Sequence, residues 1–522
     1  MRFFNILLPL CLAAIFFSST QAKAATIQVN TFADELNNDG DCSLREAIQA
    51  ANSNTAVDQC VKGDIGTDTI LLQPTLDEAS IYALTLGNTD PDPKSEDLNQ
   101  EGDLDILEDL NLEGSDPAHR SVLDAEALED FVSSSNPGER VLQIFGTGAT
   151  LKNLVLRGGH GRDGGGLYNG ASDLVLVENC VISNNFSDGG GGGILNNGIL
   201  EIHDSHITRN DTNGSGGGIG HAGRLLVSRT SIDNNHSLLV GGGISSDIGS
   251  VTLSNSTISQ NQSESDGGGV YAAGKSEWTL SNVTLAFNTA TGKGSGLITS
   301  GLAAVFIEKS IVSENAGGKN CNLEDNVALF LGSLGYNIEN GATCEFSKTN
   351  DLNDDPLLDS NLQDNGGPTP THALLAGSPA IDQLLNCRGT PTDQRGFARP
   401  VDGDAEPGAL CDMGAYEFGA VAPPPEEPGP GPGPEPCRDP EGCEEAPQAE
   451  DCDNELDDDG NGQIDCDDAA CAQLAACRDG LVSGTGCQLS PLAGPAEVNM
   501  APWATLATLG LGLWIRGRKT KA

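Results

Sequence analysis

The sequence predicts an all-β chain built as a parallel β-helix, and three observations carry that prediction. A Gly-rich phrase recurs: "GGGILNNGILEIHDSHITRN" from Gly191, "GGGIGHAGRLLVSRTSIDNN" from Gly216, "GGGISSDIGSVTLSNSTISQN" from Gly241, "GGGVYAAGKSEWTLSNVTLAFN" from Gly267, and a degraded copy from Gly294. The apolar residue after the glycines falls at Leu167, Ile194, Ile219, Ile244, Val270 and Leu297, in steps of 27, 25, 25, 26 and 27. A fixed period of this size marks a solenoid, in which each unit buries its apolar face only by stacking on the next. Within each unit the apolar residues alternate with Ser, Thr, Asn and Arg, as in Val251, Leu253 and Ile258, which is the period of a half-buried strand and not of a helix.

The corners follow from the same phrase. Glycines supply turns where a Cβ would clash. A closing Asn recurs in phase at Asn185, Asn210, Asn235, Asn261, Asn288 and Asn315. It is expected to take left-handed backbone geometry and to bond amide to amide along a ladder. Cys180 shares a slot with Ser205, Thr230 and Ser256, so it reads as a buried structural thiol and not a nucleophile.

Ahead of the repeats, residues 1–24 read as a signal peptide. Arg2 precedes an apolar run from Phe3 to Phe17, and Ala22-Lys23-Ala24 is a small-x-small cleavage site, so the mature chain starts at Ala25. Export permits disulfides. Without Cys11, fourteen of the fifteen cysteines remain. Proximity pairs Cys42 with Cys60, Cys321 with Cys344 and Cys387 with Cys411. The segment 42–52, "CSLREAIQAAN", breaks the β pattern. Ser43 and Glu46 form a capping box, and Leu44, Ala47, Ile48 and Ala51 make one apolar face, predicting a short helix over the exposed end of the solenoid.

The composition allows a long, thin, aliphatic core: 522 residues with 67 glycines and 4% aromatic side chains. Acidic residues outnumber basic ones 75 to 27, for a net charge of -48, which excludes nucleic acid and anionic membrane surfaces as partners.

"CSLREAI", followed by "EDLNQEGDLDILEDLNLEG" at 96–114 and the Gly-rich coils, resembles the exported bacterial proteins named for their CSLREA motif. "DNGGPTPTHALLAGSPAID" at 364–382, "DQRGFARP" at 393–400 and "CDMGAYEF" at 411–418 resemble the end of the choice-of-anchor domain, type Q. The resemblance covers about residues 26–418 and implies a right-handed parallel β-helix displayed at the cell surface. It brings no catalytic residue with it. The β-helix domain is thus expected over 25–420, with repeats at about 141–320 and a closing region at 321–420.

"VAPPPEEPGPGPGPEP", 421–436, is a semi-extended linker. Beyond it, 437–487 is a Cys-rich acidic module of seven cysteines. Asp457, Asp459, Asn461, Gln463, Asp465 and Asp468 stand there at positions 1, 3, 5, 7, 9 and 12 of a calcium-loop spacing, with Gly462 at the turn. Asp replaces the usual Glu at position 12. The module resembles the metal-binding motifs of MopE-related bacterial surface proteins, and calcium is the expected cofactor. In 488–522, fifteen mostly apolar residues, Ala501 to Ile515, precede Arg516, Arg518, Lys519 and Lys521. This tail resembles the C-terminal sorting signals of Gram-negative bacteria. It implies delivery to the outer membrane or cell surface by a sorting machinery, with a permanent membrane anchor as the alternative.

Catalysis has one weak foothold, "GGHGRDGGG" at 158–166, where His160, Arg162 and Asp163 stand together. Gly-His-Gly resembles polygalacturonase-like hydrolases, but their Asn-Thr-Asp, Asp-Asp and Arg-Ile-Lys motifs are absent. His203, His206, His221 and His236 fall at different repeat phases and read as dispersed surface histidines; the acids are expected to scatter unpaired, and Ser and Thr to face water. The expectation is a surface-anchored, non-catalytic display or adhesion scaffold that binds an extracellular glycan or protein. A lyase or glycosidase acting on acidic polysaccharide is the alternative, and a carboxylate or His cluster along one groove would favour it.

Overall fold

The computed structural model describes residues 24–73, 80–87, 99–131, 139–323, 330–385, 387–403 and 408–422. The leader up to residue 23, the linker from 423, the module 437–487 with its six expected calcium ligands, and the tail 488–522 lie outside the described residues. The chain divides into two compact units, Met1–Pro425 and Glu426–Ala522, and everything described belongs to the first.

That unit is a parallel β-helix. Each middle coil gives one strand to a nine-stranded sheet (Ile194–Asn196), two to a 20-stranded sheet (Ile199–His203 and His206–Thr208) and a short one to a six-stranded sheet (Asp211–Thr212). The repeat alignment is the strand register: Leu167 pairs with Ile194, Ile194 with Ile219, Ile219 with Ile244, Ile244 with Val270 and Val270 with Leu297. The inward residues stack into one aliphatic core running the length of the solenoid, with Ile194, Leu253 and Ile258 fully buried. Gly214 shows why glycine is required at the corners, since a Cβ there would lie 1.2 Å from the Gly189 carbonyl oxygen.

Coils begin well before the repeats become legible. Thr26–Gln28 pairs with Asp68–Leu71, which pairs with Leu110–Glu113, which pairs with Ala149–Lys152. The predicted helix forms over Leu44–Ser53 with its Ser43–Glu46 capping box in place. It covers the first strand of the nine-stranded sheet, Leu104–Ile106. Asn52 donates to the Asp105 carbonyl and accepts from the Leu107 N–H, and the buried Arg45 pairs with Asp34 while donating to the Gly102 and Asp103 carbonyls. The edge is thereby satisfied and blocked. All three expected disulfides form, and Cys180 is free and buried.

Two expectations about the corners need correction. The Asn column does form a buried ladder, each side chain bonding to the next at about 3.0 Å from Asn185 to Asn315. The left-handed residue, however, is the one before it: Asn184, Arg209, Asn234, Gln260, Phe287 and Glu314 have φ between 53° and 57°. The left-handed residue reverses the chain and stands outside the ladder, so its identity varies, while the next residue points inward and must be an amide to bond above and below. Nor do all Ser and Thr face water. Ser187, Thr212, Ser237 and Ser263 are buried on the inner side of the six-stranded sheet, where Thr212 Oγ1 donates to corner carbonyls that no aliphatic residue could satisfy.

The closing region first extends the solenoid, Phe330–Gly335 pairing with Ala304–Glu308 and Ile338–Glu339 with Ile311–Ser313. Its later part, from Thr369 to Ala415, lies along the flank, over the second strand of each coil from Arg229 to Lys309. Thr369 Oγ1 donates to the Arg229 carbonyl, Asn255 to the Thr392 carbonyl, Thr257 Oγ1 to Gln394, the Ala415 N–H to Thr284 Oγ1, and the Gly414 N–H to the Lys309 carbonyl.

Candidate functional site

His160 and Asp163 flank the corner where the six-stranded sheet begins, and the residues around them do not converge. Asp163 Oδ1 accepts the Gly190 N–H of the next coil at 3.3 Å. Arg162 points into solvent, 79% exposed, with Asp163 at 3.9 Å. The His160 ring meets the edge of Phe186, with centroids 4.5 Å apart, and its Nε2 lies 3.8 Å from Asp188. His160 and Asp163 each serve a contact within the repeat, while the Arg162 side chain projects away from it.

A larger constellation stands on the outer face of the same sheet, in two in-phase columns: His160, Phe186, Asp211, His236, Gln262 and Thr289, paired in register, and Asp188, Asn213, Leu238 and Glu264 two residues further along each coil. His236 is held on both sides, with Asp211 2.7 Å from Nδ1 and Glu264 3.3 Å from Nε2. Gln262 donates to Glu264 at 2.8 Å and Asn213 to Asp188 at 2.9 Å. This corrects the expectation of unpaired acids: carboxylates here meet imidazoles and amides of neighbouring coils. Asp188, Asp211 and Glu264 were missed because their columns mix residue types; the signal was their shared repeat phase.

The remaining histidines are apart from this face. His203 bonds Ser228 Oγ and lies 3.6 Å from Glu201. His206 bonds Asp233 at 2.6 Å. Burial pushes the Asp233 carboxyl up, but the bonds and charge from His206, with Ser231 and Asn234, outweigh it and hold it below the usual carboxylate range. His221 is not a surface residue. It is 5% exposed and continues a second amide column, Asn169 to Asn196 to His221, and burial pushes its pKa down to about 4. Asn196 donates to Nδ1, so the proton sits on Nε2, which donates to the Ser250 carbonyl.

Three further groups have chemistry-bearing residues. Ser259 Oγ lies 2.6 Å from His372 Nε2, and His372 Nδ1 bonds the Asp359 carbonyl. This has nucleophile-and-base geometry, yet both residues are fully buried and join the closing region to the solenoid. In that region Arg395 pairs with Asp393 under the Tyr416 ring, and Arg399 lies against Glu417. Burial raises the Asp412 and Glu417 carboxyls, and both groups accept backbone N–H bonds that close the loops carrying "DQRGFARP" and "CDMGAYEF". At the other end, Glu35, Asp39 and Asp41, and again Asp41, Glu46 and Asp58, bring carboxylate oxygens within 4.8 Å of one another, a donor set of the kind that holds a hard cation. Burial and neighbouring acids raise the Glu35 and Asp41 carboxyls. The Cys42–Cys60 disulfide brings Asp58 to the other four, which sequence spacing does not show. A shallow groove of about 230 Å³, lined by Asp109, Asn111, Thr150 and Asp173 among others, includes none of the expected site residues.

The family model described as "Right handed beta helix region" matches residues 140–310, in agreement with the expected handedness. Among solved structures, that of pectate lyase Pel9A is similar at 14% identity and a TM-score of 0.40, covering 76% of this chain and 96% of its own. No curated protein matches.

Proposed function

We propose that this chain is an exported β-helix protein, held at the cell surface through its C-terminal segment by a sorting machinery, and acting as a non-catalytic display or adhesion scaffold. Its ligand is an extracellular glycan or protein, and its Cys-rich module binds calcium. One observation carries the reading. Polar side chains on the outer face of the six-stranded sheet are linked coil to coil, giving an extended face suited to contacts spread along a polymer, and His160 and Asp163 are taken up in contacts of the repeat itself, while Arg162 projects into solvent away from both. The signal peptide, the basic-ended apolar tail and the calcium-loop spacing support export, anchoring and cation binding in turn.

Asp211 and Glu264 on either side of His236 favour a second reading, a polysaccharide-active enzyme, because two carboxylates around a sugar bond are what hydrolysis needs. The purified chain is screened against pectin, alginate and neutral glucans and xylans, with and without calcium, following reducing ends and unsaturated products. Binding without turnover is the expected result. Turnover abolished by His236→Ala or Asp163→Ala in a folded protein overturns the scaffold reading.

A further inference from the structure

Asp68 opens the strand Asp68–Leu71 and is 2% exposed. Its Oδ1 accepts the backbone N–H of Ala25 at 2.8 Å, and both oxygens accept the N–H of Asp64, at 3.2 and 3.1 Å. Among the described residues no basic side chain forms an ion pair with it. The carboxylate also lies against the last turn of the helix: a Cβ on Gly63 would be 2.4 Å from Asp68 Oδ2 and 2.9 Å from Ala51 Cα, and the Gly63 N–H donates to the Ala50 carbonyl. That end of a helix carries partial negative charge, and this last turn has no basic residue. A buried carboxylate beside it, held only by neutral donors, lacks a counter-charge.

Ala25 is where the solenoid begins. Its carbonyl accepts the Thr69 N–H at 2.9 Å, the first rung of the ladder, while Ala24 is exposed. The small-x-small site ends at Ala24. We propose that removal of the leader between Ala24 and Ala25 supplies the missing charge, the new α-ammonium of Ala25 completing an ion pair with Asp68. The step is a hydrolysis by a signal peptidase. The Ala24–Ala25 C–N bond breaks, the hydroxyl of water goes to the Ala24 carboxyl, and the Ala25 nitrogen, taking the water proton and one more from solvent, becomes an ammonium already within hydrogen-bond distance of Asp68. Charge-assisted bonds are about twice as strong as neutral ones, so the cut tightens the first rung of the solenoid after the chain has been exported.

The inference rests on the reading of residues 1–24 as a cleaved leader and is independent of what the solenoid binds. Of the charged residues on the packed elements, Asp64 and Asp109 meet Asp68 through their backbones, Lys62 on the loop before it is exposed to solvent, and the helix end adds partial negative charge. An α-amine facing Asp68 titrates above its ordinary value of about 8. Its contribution to stability is therefore full below that pH and is lost as pH rises through the higher folded value.

The test uses the full chain expressed with its own leader, beside a version translated from Lys23 that keeps Lys23 and Ala24. Intact mass gives the first residue, and timed acetylation with acetic anhydride gives α-amine reactivity. The exported chain is expected to start at Ala25, with an α-amine acetylated about tenfold more slowly folded than in urea, and a higher unfolding midpoint than the extended chain. Asp68→Asn should raise the acetylation rate about tenfold and lower the midpoint of the exported chain only. A start at another residue, an equally reactive amine in folded and unfolded chain, or equal loss in both chains on Asp68→Asn overturns the proposal. If Asp68→Asn does not fold, the two wild-type chains alone decide, through acetylation and midpoint. Failure of the adhesion reading appears separately, as turnover in the polysaccharide screen.

Discussion

Replacing Asn235 by alanine removes one rung from the middle of the buried amide ladder. Its Oδ1 accepts both the backbone N–H and the Nδ2 of Asn210, and its Nδ2 donates to the Ile207 carbonyl and to Asn261 Oδ1, all at 3.0 Å. Two of those partners keep another bond, since Asn210 Nδ2 still donates to the Ile182 carbonyl and Asn261 Oδ1 still accepts the residue-235 N–H. The Asn210 N–H and the Ile207 carbonyl lose the side chain that held them inside the core. Each orphaned buried group costs about 1–3 kcal/mol, so the rung is worth about 4 kcal/mol if the gap stays dry and about 2 if water enters. At 1.4 kcal/mol per tenfold, local opening should become between about 30-fold and 1,000-fold more frequent. Hydrogen exchange read by mass spectrometry should show this in the coils holding residues 205–262, because solenoid coils contact only their neighbours, and little of it around Leu167. Asn234→Ala, one residue earlier and in the left-handed position, should cost only about 1 kcal/mol of backbone strain. Unchanged exchange in Asn235→Ala, a uniform rise along the whole chain, or an equal effect of Asn234→Ala would refute the ladder argument.

Three other outcomes are expected. His221, buried neutral with its pKa near 4, contributes stability that is present above pH 6.5 and lost as pH falls from there towards 4, by about 3 kcal/mol; His221→Asn should flatten thermal unfolding across that window by continuing the Asn169–Asn196 column, and an unchanged pH profile would count against it. Calorimetry should show calcium-dependent heat from the full chain, in the weak range of extracellular modules, about 10⁻⁴ to 10⁻³ M, that Asp457→Ala with Asp459→Ala reduces; heat unaltered by the pair would assign the ion to other residues, the acids around Asp41 foremost. Deleting Ala501 to Ala522 should move the protein from the cell envelope to the medium, and unchanged fractionation would remove the tail's retention role.

From Leu167 to Leu297 the register of the nine-stranded sheet could be read from the repeat phase, because stacked coils force like residues into line. The earlier coils could not. The corresponding core positions Ile27, Ile70, Leu112 and Leu151 lie 43, 42 and 39 residues apart, each coil carrying an extra loop that breaks the period. The Asn ladder was legible as a column but its backbone geometry was not, since a side chain that bonds along the stack and a backbone that turns beside it leave the same Asn-rich signature. The polar face around His236 was hidden for the opposite reason: its acids, amides and imidazoles occupy one phase with different residue types. The flank position of the closing region left no pattern at all, because its contacts join residues more than 100 apart with no repeat between them, and so Thr257 and Ser259 looked like solvent-facing strand residues.

That flank contact bears on how the molecule responds to force. A bare stack of coils unzips from its end, each coil releasing the next. Here the segment from Thr369 to Ala415 is stitched across successive coils, at Arg229, Asn255, Thr257, Ser259 and Thr284, and it is also the last part of the solenoid unit before the chain leaves it. For a protein tethered through its C-terminus, tension would enter through this segment and spread over several coils in parallel shear. The tethered half would yield as a block, and peeling would be left to the unclamped coils at the far, N-terminal end.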